Sequence, residues 1–183
     1  MMTGTRYEKK DLPVSLKQLL YLALLIFFPL AISAAVVVWA PSKPGHGGSD
    51  TLLALAIVGA IAAVLIAVLL VAARRHAVEI SGDGLVVRHS LYTLALERSE
   101  VESAKARAIT SLDQLGLSTR KNGIAAFGYF SGWFRGAHGD LTFCALSQWP
   151  VYLITFEGST RTRQLAISAN AQLIHEIEAW ANA

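Results

Sequence analysis

A chain of 183 residues that is 54% apolar, with a mean hydropathy of +0.46, is too hydrophobic for an ordinary soluble domain, whose apolar share is about 45–50%. The formal net charge of +3, from 16 basic and 13 acidic residues, argues against a nucleic-acid-binding footprint. The one cysteine, Cys144, excludes an internal disulfide and suits a reducing compartment.

Residues 1–18 are polar and carry Arg6, Lys9, Lys10 and Lys17 against Glu8 and Asp11, which reads as a basic cytoplasmic arm lying on a membrane surface. Residues 19–40 contain no charge and read as a first transmembrane helix, interrupted by Pro29, where a helix loses one backbone hydrogen bond. A cleaved signal peptide is the rival reading, but this run exceeds the about 7–15 apolar residues of such a segment. Residues 41–50 hold Pro41, Pro44, Gly45, Gly47 and Gly48 and read as an extracytoplasmic turn.

The charge-free run Thr51–Ala73 is the second predicted span. As a helix it is about 34 Å long, enough for the hydrocarbon core of a bilayer. Basic residues flank the outer ends of the two spans, with Arg74 and Arg75 after the second, while the turn has Lys43 alone. By the positive-inside rule both termini are cytoplasmic. Ala56, Ala60, Ala63 and Ala67, with Gly59 beside them, form a small-residue stripe suited to helix packing, either against the first span or in a homo-oligomer.

Beyond Ala73 the composition changes to that of one small domain, 74–183, in which 11 basic residues face 10 acidic ones. Ala77–Ile80 and Leu85–Ser90 flank Ser81-Gly82-Asp83-Gly84, a hairpin pattern. Tyr92, Leu94 and Leu96 alternate as in a half-buried strand, Val101–Ile109 is a weaker strand whose Ala and Glu also suit a short helix, and Thr110–Lys121 reads as loop with one helical turn carrying Leu112 and Leu115. From Asn122 to Gly139 five glycines interleave with Phe127, Tyr129, Phe130, Trp133 and Phe134. Leu141–Ser147, Val151–Phe156 and Arg161–Ile167 are further strands, and Leu173, Ile174, Ile177 and Trp180 make the apolar stripe of a closing helix near 169–181, capped by Ser168 or Asn170. The predicted architecture is a membrane helical hairpin followed by an antiparallel curled sheet of about seven strands with a C-terminal amphipathic helix.

Ile80-Ser81-Gly82-Asp83-Gly84-Leu85 with Val87, Tyr92, Leu96, Ser99 and Val101, then Arg120-Lys121-Asn122-Gly123, Gly128-Tyr129 and Gly132-Trp133-Phe134, and finally Val151-Tyr152-Leu153 and Leu165-Ala166-Ile167-Ser168 together resemble a bacterial pleckstrin-homology-like (PH-like) domain. The resemblance covers about Ala77 to Trp180, and members with a two-helix membrane anchor ahead of the domain are familiar. Where the subfamily pattern often carries Pro before the first of these glycine-aromatic pairs, this chain has Phe127. The resemblance implies an α+β, largely β, module with a non-enzymatic role at the bacterial inner membrane.

Motifs for chemistry are missing from the sequence. His175-Glu176 lacks the second His four residues on, since position 179 is Ala, so no zinc motif forms. Cys144 with His138 and Asp140 reads as a buried strand cysteine beside loop residues rather than a nucleophile site. The glycines match neither a dinucleotide fingerprint nor a phosphate loop. No catalytic, cofactor or metal residue is therefore expected. The expected contacts are with lipid or a protein partner, through Arg74 and Arg75 at the head groups and through Trp133, Phe134 and Arg135 in the glycine-aromatic segment, with Phe127 and Tyr129 as strand core. The expected function is an interaction platform on a membrane anchor. Alternatives are a lipid-head-group sensor, which needs a concentrated basic pocket, and a small membrane enzyme or transporter subunit, disfavoured because neither span carries a charge.

Overall fold

The structure is a computed structural model that describes residues 8–39, 48–136, 139–160 and 162–183. Residues 1–7 of the predicted arm, 41–47 of the predicted turn, His138 and Arg161 lie outside the described residues.

Two long helices come first, α1 (Leu16–Trp39) and α2 (Gly48–Arg74), and α1 continues through Pro29. They lie side by side. In α1 the half-buried positions are Ala23, Phe27, Leu30, Ala34 and Val37; in α2 they include Leu55, Val58, Ala62, Leu65 and Leu69. Both series step by alternating threes and fours, the spacing that keeps one seam of a helix facing a neighbour. Among the described residues one helical stretch, Leu52–Arg74, is long and apolar enough to cross a membrane, with a hydropathy of 3.1 and none of its most apolar window buried. The corresponding apolar run in α1 is the shorter Phe27–Trp39. The two-span hairpin expected from sequence thus rests on one qualifying helix and a shorter apolar companion.

The rest of the chain departs from a single curled sheet. A four-stranded antiparallel sheet has the order β1 (Glu8–Asp11), β2 (His76–Ile80), β3 (Gly84–His89), β4 (Tyr92–Glu97). A six-stranded sheet has the order β5 (Ser103–Ile109), β9 (Val151–Glu157), β10 (Gln164–Ser168), β8 (Leu141–Leu146), β7 (Tyr129–Gly136), β6 (Leu117–Ala126). Its pairings are antiparallel except β8 with β10. That exception has a packing reason: the alternating residues of β8 are buried on both faces, as strands of a parallel pair usually are. Phe143 and Ala145 face the main core, while Cys144 and Leu146 face a second cluster with Ile109, Leu115, Phe134 and Leu153.

The main core lies between the sheets. Leu85, Val87, Leu94 and Leu96 of the first sheet meet Phe143, Ile154, Phe156, Leu165 and Ile167 of the second. The last helix, α3 (Ala171–Asn182), contributes Leu173, Ile174, Ile177 and Trp180 to this cluster and is capped by the Asn170 side chain, which accepts the Leu173 N–H at 2.9 Å. The stripe expected from sequence is therefore the buried one.

The first segment differs from its expected role as a surface arm. Glu8–Asp11 is an edge strand on β2, with Asp11 opposite Ala77, and the Leu12 N–H donates to the His76 carbonyl at 2.9 Å. Leu12 belongs to the main core, Lys10 forms an ion pair with Glu176 of α3, and the Ser147 hydroxyl donates to the Pro13 carbonyl. The helical turn expected at Leu112 and Leu115 is a short 3-10 turn, Leu112–Leu115, whereas the rest of the expected loop from Leu117 on is the start of β6.

Both edges of the larger sheet are guarded. On β5 the Ala104 and Ala106 N–H groups donate to Asn182 and Glu178 of α3, at 3.0 and 2.7 Å, and Asn182 donates back to the Ala104 carbonyl at 3.1 Å. Side chains of the helix thus occupy groups that could template another strand. On β6 two register shifts and the exposed Arg120 and Lys121 blunt the edge instead. Replacing Asn182 by Ala unpairs two backbone groups of β5 and is expected to cost about 1–2 kcal/mol. The measurement is the urea midpoint of the detergent-solubilised chain; an unchanged midpoint removes α3 from this edge-sealing role.

Candidate membrane and partner surface

The helix pair offers a wide apolar surface. Ala56, Gly59, Ala60, Ala63 and Ala67, expected to serve helix packing, all lie on the exposed side of α2, away from the half-buried seam. An added Cβ at Gly59 meets nothing within 4 Å. The seam with α1 is instead built from larger residues around Ala62, so among the described residues the small-residue stripe lies outside that seam. Arg74 ends α2 and is exposed; Arg75 is half-buried and donates to the Thr93 hydroxyl at 3.2 Å. Arg75 is also the one residue between α2 and β2.

The glycine-aromatic segment is a hairpin, β6–β7, and not an irregular loop. Its aromatics sort differently from the sequence expectation. Phe134 is buried against Phe130 at 5.6 Å, and Trp133 is half-buried with its ring 5.0 Å from Phe143. Arg135 is exposed near the far end of β7. The expected surface cluster therefore resolves into two core-packed aromatics and one solvated cation. The reason is the pair Gly123–Gly132, directly opposite one another: an added Cβ at Gly123 would approach the Ser131 carbonyl to 2.7 Å and the Phe134 ring to 3.0 Å. Glycine lets the two strands close up and lets the aromatic rings turn inward.

Phe127, expected as core, is the exposed one, at 63%. It forms the turn of the hairpin with Gly128, and both have positive φ, 51° and 79°. Two-residue hairpin turns of that shape favour Asn, Asp or Gly, and a left-handed L-residue costs about 1–2 kcal/mol. The Phe127 ring lies 5.1 Å from that of Tyr21 on α1.

Beneath this hairpin sits a buried polar group that sequence patterning does not flag. His76 and His89 are opposite each other on β2 and β3, with ring centroids 4.4 Å apart and edge-on. Tyr129 stacks on His89 at 5.1 Å, and the Ser131 hydroxyl donates to the His89 carbonyl at 2.7 Å. All four imidazole nitrogens are buried and have no hydrogen-bond partner among the described residues. Burial lowers the pKa of both rings; at His89 the neighbouring His76 lowers it further, and at His76 the Ala72 carbonyl opposes the shift without reaching hydrogen-bond geometry. Both imidazoles are thus held neutral. The signal that could find them is register: counting outward from Ile80 opposite Leu85 brings His76 opposite His89.

A cleft of about 930 Å³ opens between the start of β8 and the β9–β10 connection. Arg163 is the single cation among its described lining residues, and it lies 3.9 Å from Asp140. Cys144 is fully buried, and burial pushes its thiol well above the usual range. No family model, curated protein or solved structure matches the chain.

Proposed function

We propose that this chain is a membrane-anchored interaction module: α1 and α2 cross the bacterial inner membrane, both termini face the cytoplasm, and the two-sheet domain is a non-enzymatic platform for a protein partner or a second copy. The observation that carries this reading is α2, whose 23-residue apolar stretch has none of its most apolar window buried and joins the domain through Arg75 alone. Apolar area on that scale needs an apolar solvent. The PH-like resemblance is part of the same proposal, supported by two sheets packed face to face with a C-terminal helix against their core. The parallel β8–β10 pair is a departure from a simple antiparallel order. The binding role is favoured over chemistry by the packing of Cys144 in the core and the Asp140 carboxylate beside Arg163 in the cleft at the start of β8.

The test is a pair of fusions of a periplasm-active reporter, one after Ala183 and one within residues 45–48, each with alkaline carbonate extraction of the membranes. The expected result is a carbonate-resistant chain, active only for the internal fusion. Activity from the C-terminal fusion overturns the topology, and release by carbonate overturns the anchor.

A further inference from the structure

We propose that the tip of the β6–β7 hairpin is a third point of membrane contact, with the Phe127 ring seated in the interfacial layer of the bilayer beside α1. This rests on the reading that α1 and α2 cross that bilayer.

Four observations converge on it. Phe127 holds a left-handed backbone that glycine or asparagine would adopt with less strain, while its ring is 63% exposed. Its ring meets that of Tyr21 on α1 and is still mostly open to solvent, so strain and exposure together point to a use outside the chain. Second, Phe127 closes a hollow of about 300 Å³ whose described lining, Tyr21, Leu24, Phe28 and Pro29, holds no charged side chain. Third, that hollow opens onto an exposed ridge of α1, Leu20, Leu24, Phe28, Ile32 and Val36, which repeats every four residues. A side chain at the foot of that ridge meets whatever solvent covers the ridge. Fourth, Tyr21 stands one helical turn beyond Lys17, the last charge of α1, which sets the Phe127 ring just below the level of the head groups.

The neighbouring turn agrees. His89 and Tyr129 stack, so the β3–β4 and β6–β7 tips lie at the same end of the domain. Leu91, two residues past His89, is 45% exposed there. Two tight turns thus present an exposed apolar side chain each beside the helix pair. An aromatic at such a depth has its ring in the region where lipid carbonyls and the first methylenes mix, the usual place of interfacial aromatics.

The experiment uses the full chain in phosphatidylcholine–phosphatidylglycerol vesicles. Single thiols are introduced as Phe127→Cys, Leu91→Cys, Val64→Cys and Gly82→Cys and labelled with an environment-sensitive fluorophore. The parent, whose Cys144 is buried, is the labelling control. Gly82 is exposed in the β2–β3 turn, where an added Cβ meets nothing within 4 Å, and Val64 is exposed on α2. Labels at 127 and 91 are expected to shift to the blue and lose most of their emission to lipids bearing a nitroxide near the head group. The label at 64 is expected to respond to a nitroxide deep in the acyl chain, and the label at 82 to neither. If 127 and 91 emit as in water while 64 is quenched, the proposal fails and the anchor stands; if 64 is also unquenched, the anchor fails and the proposal with it. Should Phe127→Cys not fold, the label at Leu91→Cys, which imposes no left-handed residue, decides between the same outcomes.

Discussion

Replacing Gly132 with alanine is expected to destabilise the β domain severely. Gly132 has φ 108°, where an L side chain is strained, and its added Cβ would lie 2.6 Å from the Asn122 carbonyl oxygen and 2.8 Å from the Gly123 Cα. Neither is the movable end of a side chain, so relief requires β6 and β7 to separate and the Phe134 and Trp133 rings to leave their cores. Backbone strain and lost packing together are expected to cost about 3–5 kcal/mol, a large share of the stability of one small domain. The comparison is Gly82→Ala, which adds a Cβ in open space at ordinary φ and is expected to change stability by about 1 kcal/mol or less. Urea unfolding of the detergent-solubilised chain, followed by near-ultraviolet circular dichroism, measures both. Equal midpoints for the two variants would contradict the close approach of β6 and β7.

Acid is expected to loosen the domain just below neutral pH, ahead of its carboxylates. His76 and His89 have folded-state pKa values below the ordinary 6.5. The unfolded chain therefore binds more protons than the folded one as pH falls through 6.5, and stability declines from there down to the folded pKa values. Above 6.5 the contribution is fully present. Each unit of depression corresponds to about 1.4 kcal/mol lost on full titration. The titratable group stacked on the pair is Tyr129, itself raised by burial and by Tyr92, and it stays neutral throughout this window. Glu176, held low first by its hydrogen bond to Lys10, loses its contribution only below its ordinary 4.5, so the two effects separate on the pH axis. His89→Leu, which replaces an imidazole with unpartnered nitrogens by an apolar group, is expected to flatten the decline between pH 7 and 5 in thermal unfolding. An unaltered slope in that variant would take the imidazole pair out of the acid response.

The legible parts of this chain are those where one local signal decides. The end of the charge-free run locates Arg74 as the end of α2, the Ser-Gly-Asp-Gly turn sets the β2–β3 register, and the Leu173 to Trp180 stripe marks α3. What local patterning could not supply is pairing chosen by the far side of the fold. Glu8–Asp11 is entirely charged and has no strand propensity; it is a strand because β2 offers an open edge and Leu12 and Lys10 have partners in the core and on α3. Polar β6 is likewise ordered by β7. The parallel β8–β10 pair joins strands separated by the whole of β9, which no window detects. For the candidate surface the difference is one of assignment within a hairpin. Glycines at 123 and 132 turn Trp133 and Phe134 inward, while Phe127 before Gly128, visible in the sequence, marks the residue that points out.

The strand β1 precedes α1 and its partner β2 follows α2, so the sheet ties the chain together immediately before the first helix and immediately after the second. A domain hung on one flexible tether sweeps a volume and can catch ligands at many heights. One fastened at both ends, with Arg75 as the only residue between α2 and β2, has its reach fixed and its azimuth locked to the helices. With the helices in a bilayer as proposed, encounters become a matter of lateral traffic: a docking partner must itself bring a matching surface to one height above the lipid, and any rotation forced on the domain is delivered as torque to the helix pair.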